Sequence, residues 1–173
     1  MEWDEVCEGP KNDDRPVTER IKTFEDACRE LGDDHPLVHH YDFNFGGEGS
    51  WMESIYTRDL ETYLKLRIIT AALNEGWEPK FTQGENRWYP LYLLWTEDEL
   101  SEKSDEWKNY HCLRSMEHHR GEWAGIAFSY SNYSPSAADA YFGSRLCYNS
   151  SELAEYAGKQ FIDLWMDYLL IRK

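Results

Sequence analysis

The sequence predicts an α+β fold: a small antiparallel sheet of about three strands packed against two or three helices, with a long amphipathic helix at the C-terminal end. Three observations carry this expectation. Apolar residues recur at helical spacing in Leu60–Leu73 and again in Leu153–Tyr168. They alternate at period two in Ile126–Tyr130 and in Ala140–Tyr148. Finally, 41% hydrophobic and 16% aromatic residues in a chain of 173 are enough to fill one core.

Residues 1–17 combine acids with Gly9, Pro10 and Pro16 and read as a flexible acidic leader to a single domain over 18–173. The first helix is expected in TFEDACRELG. Thr23 is its N-cap with Asp26 three residues on, Phe24, Ala27, Cys28 and Leu31 form an apolar face, and Gly32 is the stop. Residues 33–58, with GGEG at 46–49, lack steady periodicity and read as an irregular connector. The second helix, TRDLETYLKLRIITAALNEG, puts Leu60, Leu64, Ile68, Ala71 and Ala72 on one face. Tyr63, Leu66, Ile69 and Leu73 extend its apolar surface, so it should be covered on two sides. Arg67 falls inside that zone and must snorkel, find a carboxylate or hold an anion.

Tyr89–Trp95 reads as a strand apolar on both faces, with Pro90 weakening its pairing. Residues 96–107 are polar with possible helical turns. Gly121–Tyr133 and Asp139–Tyr148 supply two further strands, close enough to form a hairpin across SNYSPSAA. Asn149 with Glu152 then caps the final helix. Leu153, Ala154, Ala157, Phe161, Leu164, Trp165 and Tyr168 form its apolar face, and Glu155, Lys159, Asp163 and Asp167 its solvated stripe.

Charge narrows the function classes. The net charge is −15, and it is unevenly placed: residues 1–58 hold 15 acids against 6 bases, and residues 96–122 hold 8 against 4. The core segments are close to neutral. Direct nucleic-acid binding by stacked aromatics lacks the basic groove such sites use. Mimicry of nucleic acid by the acids themselves needs carboxylates fixed on a rigid surface. Cys7, Cys28, Cys112 and Cys147 form no CxxC pair and read as reduced thiols, which points to a cytoplasmic setting. No apolar run suggests a membrane span.

The residues contain no GxSxG, GxGxxG, Walker loop or HExxH, so no catalytic residue and no cofactor are expected. His35, His39 and His40, and His111, Cys112, His118 and His119, offer metal-ligand types, but Pro36 breaks the spacing of the first set and no metal site is expected. Cys147 beside Arg145 reads as a packed residue rather than a nucleophile. The stretch SYSNYSPS (129–136) has the Tyr, Ser and Asn content that binding loops use. Tyr130, Asn132 and Tyr133, with Arg145 nearby, are therefore the candidate binding residues.

Four stretches carry a resemblance. RIKTFEDACRELG (20–32), YLKLRIITAALNEGWEPKF (63–81), RWYPLYLLW (87–95) and GSRLCYNSSELAEYAGKQFIDLWMDYLL (143–170) resemble a family of uncharacterised proteins that recurs in gut Bacteroidota and their phages. The resemblance implies a phage or mobile-element origin, and with it a virion-associated setting as the alternative to a cytoplasmic one, and brings no functional residue with it. The expectation is a non-enzymatic accessory or assembly protein acting through a protein partner. Its alternatives are an acidic inhibitor that mimics nucleic acid and an enzyme with an unrecognised site. A homo-oligomer is compatible with the aromatic content.

Overall fold

A computed structural model describes residues 13–46, 58–138 and 143–173. Among them, eight α-helices and three strands give the expected α+β architecture. The helices are α1 (Val17–Arg20), α2 (Phe24–Leu31), α3 (Pro36–Phe45), α4 (Arg58–Leu73), α5 (Glu97–Ser101), α6 (Asp105–Tyr110), α7 (Ser151–Gln160) and α8 (Ile162–Leu169). The strands are β1 (Asn86–Trp95), β2 (Arg114–Ser115) and β3 (Gly125–Pro135).

Helix α4 is the centre. Thr62, Leu64, Leu66, Ile68, Ile69, Thr70, Ala72 and Leu73 are buried along it, more than a single helical stripe can supply. Helices α2, α3 and α8 pack on it. Leu60, expected inward, is exposed; it stands in the first turn, and burial begins at Thr62. Helix α2 forms as its residues dictate. The Thr23 hydroxyl accepts from the Asp26 amide, the Asp26 carboxylate accepts from the Thr23 amide, and Gly32 ends the helix at φ 84°. Residues 1–12 of the leader lie outside the described residues, and Val17, assigned to that leader, is buried at the start of α1.

The connector needs correction. Its first half is α3, with Pro36 in the opening turn and His35 as N-cap, the ring Nδ1 accepting from the Leu37 amide at 3.2 Å. A proline there starts a helix, because the first amide has no intrahelical partner to lose. Residues 47–57 lie outside the described residues.

The sheet order is β1-β3-β2, all antiparallel. This replaces the expected hairpin between Gly121–Tyr133 and Asp139–Tyr148. The stretch 129–136 is almost wholly strand: Tyr130 pairs with Leu91, Asn132 with Tyr89 and Tyr133 with Trp88. Of the third expected strand, residues 139–142 lie outside the described residues. Ser144–Leu146 is a 3₁₀ turn, and Leu146, Cys147 and Tyr148 are buried in succession, so the alternation is lost. Tyr148 alone pairs with Trp88, exchanging backbone hydrogen bonds of 2.7 and 2.9 Å. Because the polar groups of Trp88 point to Tyr148, the nitrogen of Pro90, two residues on, points to the same side, away from β3. Proline therefore sits inside β1 without breaking the β1–β3 ladder.

The C-terminal helix is two helices. Ser150, not Asn149, is the N-cap: its hydroxyl accepts from the Leu153 amide at 3.2 Å. At Phe161 (φ −113°, ψ 29°) the chain leaves helical geometry and restarts as α8. Helix α7 lies on β1 and β3, whereas α8 lies on α4. A straight rod would leave one of these surfaces uncovered. The bend buries Ile162 and Met166 and leaves Tyr168 exposed, against the expected face. Gly158 sets the α7 contact, since a Cβ there would lie 2.6 Å from the Pro90 Cβ and 2.9 Å from the Phe128 ring. The expected solvated stripe is an ion-paired one: Glu155 pairs with Lys159, Asp163 with Arg114, and Asp167 with Arg172.

Candidate functional site

Two surfaces stand out. The first is a cleft of about 820 Å³ beside the C-terminal half of α4, walled by the start of α3, residues 76–81 and the 3₁₀ turn. Thr70 and Asn74 form part of its base. Both are tied into the frame: Thr70 Oγ1 donates to the Tyr148 hydroxyl at 3.2 Å, Asn74 Nδ2 donates to the Cys147 carbonyl at 2.9 Å, and the Asn149 amide donates to Asn74 Oδ1 at 3.1 Å. These bonds hold the 3₁₀ turn against α4. Arg67 reaches the cleft from α4 and Arg145 from the turn. Neither makes an ion pair among the described residues, whereas Arg15, Arg20, Arg29, Arg114 and Arg172 each hold a carboxylate.

The mouth is aromatic. Chain reversal at Glu75 (φ 47°) and Gly76 (φ 85°) leads into Trp77, Pro79 and Phe81, all facing the cleft. Phe81 itself has φ 57°, a conformation that costs a bulky side chain about 1 kcal/mol or more. The Glu85 carboxylate holds it there by accepting from the Lys80 and Phe81 amides at 3.0 and 3.1 Å. Behind the ring lies Arg87, almost fully buried, its guanidinium 5.1 Å from the Phe81 centroid. Arg87 also donates to Ser144 Oγ at 2.7 Å and Ser134 Oγ at 3.3 Å. One buried cation thus braces both the aromatic rim and the 3₁₀ turn.

Cys147 is in the cleft wall and buried, with its Sγ donating to the Ser144 carbonyl at 2.9 Å. Burial pushes its thiol up to about 11, outweighing the pull of Arg87, so the reactive thiolate is suppressed at neutral pH. Among the described residues, no three of His, Cys, Asp and Glu converge as metal ligands. His35 caps α3, His40 lies beside Asn44, and His119 is buried with Nε2 3.4 Å from Asp167.

The second surface is the outer face of the sheet. Alternation puts Trp88, Pro90 and Tyr92 of β1 toward α7, and Leu91, Leu93 and Trp95 away from it. Leu93 is 44% exposed, and Tyr130, beside Leu91 on β3, is 52% exposed. At one end the patch is closed by α5 and α6, where Trp107 packs edge-on against Trp95 at 5.0 Å. Those helices bring Glu97, Asp98, Glu99, Glu102, Asp105 and Glu106, all exposed.

The four residues singled out by sequence therefore separate. Tyr130 and Asn132 share the outer face. Tyr133 turns to the inner face, its ring 5.2 Å from Trp88, and remains half exposed at the edge. The Asn132 side chain accepts from the Tyr133 amide at 2.9 Å, so it covers one polar group of the β3 edge, and Pro135 blocks a further donor there. Arg145 belongs to the cleft. Sequence reasoning missed Trp77, Phe81 and Arg87, for no spacing signals a left-handed phenylalanine or a guanidinium buried behind it. Comparison with family models, with curated proteins and with solved structures returned no match.

Proposed function

We propose that the chain is a non-enzymatic accessory or assembly protein of phage or mobile-element origin that works by binding a protein partner on the outer face of its sheet. One observation carries this reading. Leu91, Leu93 and Tyr130 form an apolar patch on a rigid two-strand platform, bordered by the exposed carboxylates of α5 and α6. An apolar centre with a charged rim is the anatomy of a protein interface. The acidic border and the net charge of −15 favour a partner whose own apolar patch is ringed by lysine and arginine.

The test is affinity capture from infected cells or virions with the wild type and with Leu93→Glu and Tyr130→Glu. The expected result is one partner captured by the wild type, lost by at least tenfold in both variants, and released as salt is raised. A partner retained by both variants, or none captured, contradicts the reading. The reading of the chain as a mimic of nucleic acid predicts a different pattern. A DNA-handling protein would then be captured equally by the patch variants and lost only when the α5–α6 acids are neutralised.

A further inference from the structure

We propose that the α4 cleft binds a small planar organic anion: a flat ring bearing a phosphate or a carboxylate. This site is separate from the sheet face and does not depend on it. Three observations converge. The chain has 33 acids and only 18 lysines and arginines, and five arginines (Arg15, Arg20, Arg29, Arg114 and Arg172) each hold a carboxylate among the described residues. Arg67 from α4 and Arg145 from the 3₁₀ turn both line one cleft, whose wall also carries Glu78, and neither makes an ion pair among the described residues. Guanidinium groups in that setting present paired donors suited to a carboxylate or phosphate.

The second observation is the aromatic mouth. Trp77 and Phe81 face the same space, and Phe81 is half exposed although its backbone is strained. A strained, exposed aromatic that three other residues hold in place (Glu85 through the backbone, Arg87 behind the ring, Ser144 through Arg87) is arranged for contact with something outside the chain. The third is size: about 820 Å³ lies within the range of small-molecule sites. A ring between the aromatic walls, with its anionic group toward the arginines, uses all of these features at once.

The test is a titration of the full chain, followed by amide NMR, with adenosine 5′-monophosphate and indole-3-acetate as ring-bearing anions. Adenosine, indole, inorganic phosphate and acetate serve as the half-ligands. At least one ring-bearing anion is expected to bind tenfold or more tightly than either of its halves, shifting resonances in 67–81 and 143–147. The phosphate and carboxylate probes show which anion is taken. Arg145→Gln, on an exposed turn, is expected to weaken that binding at least tenfold. Phe81→Asn removes the ring but suits the left-handed backbone, so it should weaken binding equally while the melting temperature holds or rises. Binding of neither probe, binding as tight for a half-ligand, or binding unchanged in both variants overturns the proposal.

Discussion

At the scale of single residues, burial decides chemistry. Cys147 sits beside Arg87 and near Arg145, and the sequence reads it as a packed residue; the structure gives the reason, since desolvation outweighs the neighbouring cation. Cys28 is pushed up to about 11 as well, first by burial and then by Asp42. Both thiols hold their protons more tightly in the folded chain than in the unfolded one, where ionisation begins near 9. Stability is therefore full below about pH 9 and falls as pH rises toward 11, by on the order of 2 kcal/mol for a fully buried thiol. Thermal melting between pH 7 and 11 checks this: the wild type should lose stability over that window, and Cys147→Ala should flatten part of the slope. Arg67 shows the opposite limit of sequence reading. Its position inside an apolar zone is legible, but the cleft that receives it is built by residues far along the chain.

At the scale of elements, local signals succeeded where the interactions are local. The capping box at Thr23 and Asp26, and the apolar run of α4, need only near neighbours; the box formed as read, and so did α4 except that Leu60 is exposed and Ala71 only partly buried. Long-range pairing was less legible. β3 finds β1 rather than the segment that follows it, and nothing in the period-two pattern distinguishes these partners. Ser150 and Asn149 are both good capping types, and the choice between them follows from tertiary contact: the Asn149 amide is held by Asn74, leaving Ser150 to enter the helix. Chemical denaturation tests that assignment. Ser150→Ala is expected to cost about 1 kcal/mol, and Asn149→Ala much less. Equal costs, or a larger cost at Asn149, would mean that α7 is capped differently.

At the scale of the whole molecule, the charge distribution and the fold together shape the functional account. Residues 96–107 read as polar with possible helical turns; α5 and α6, with six exposed acids on and between them, pack against the end of the apolar sheet face through Trp107 and Trp95. That juxtaposition was not readable, because it requires Trp95 to meet Trp107 and Gly125 to admit the side chains of Leu100 and Leu113, 3.0 and 2.8 Å from where its Cβ would stand. The candidate residues Tyr130 and Asn132 were legible by type, as members of a Tyr-, Ser- and Asn-rich stretch, but that stretch is a strand, so Tyr133 faces the other way. Among the described residues no helix is long and apolar enough to cross a membrane. Two separate surfaces are thus proposed as binding sites: the acid-bordered sheet face for a protein, and the cleft lined by Arg67 and Arg145 for a small anion.

Amide hydrogen exchange on the complex with its captured partner is the decisive test of the proposed sheet-face interface. Slowed exchange is expected in residues 91–93, 127–132 and 97–110, with the cleft segments 67–81 and 143–147 unchanged. Protection confined to the cleft, or to any surface that omits β1 and β3, would contradict it.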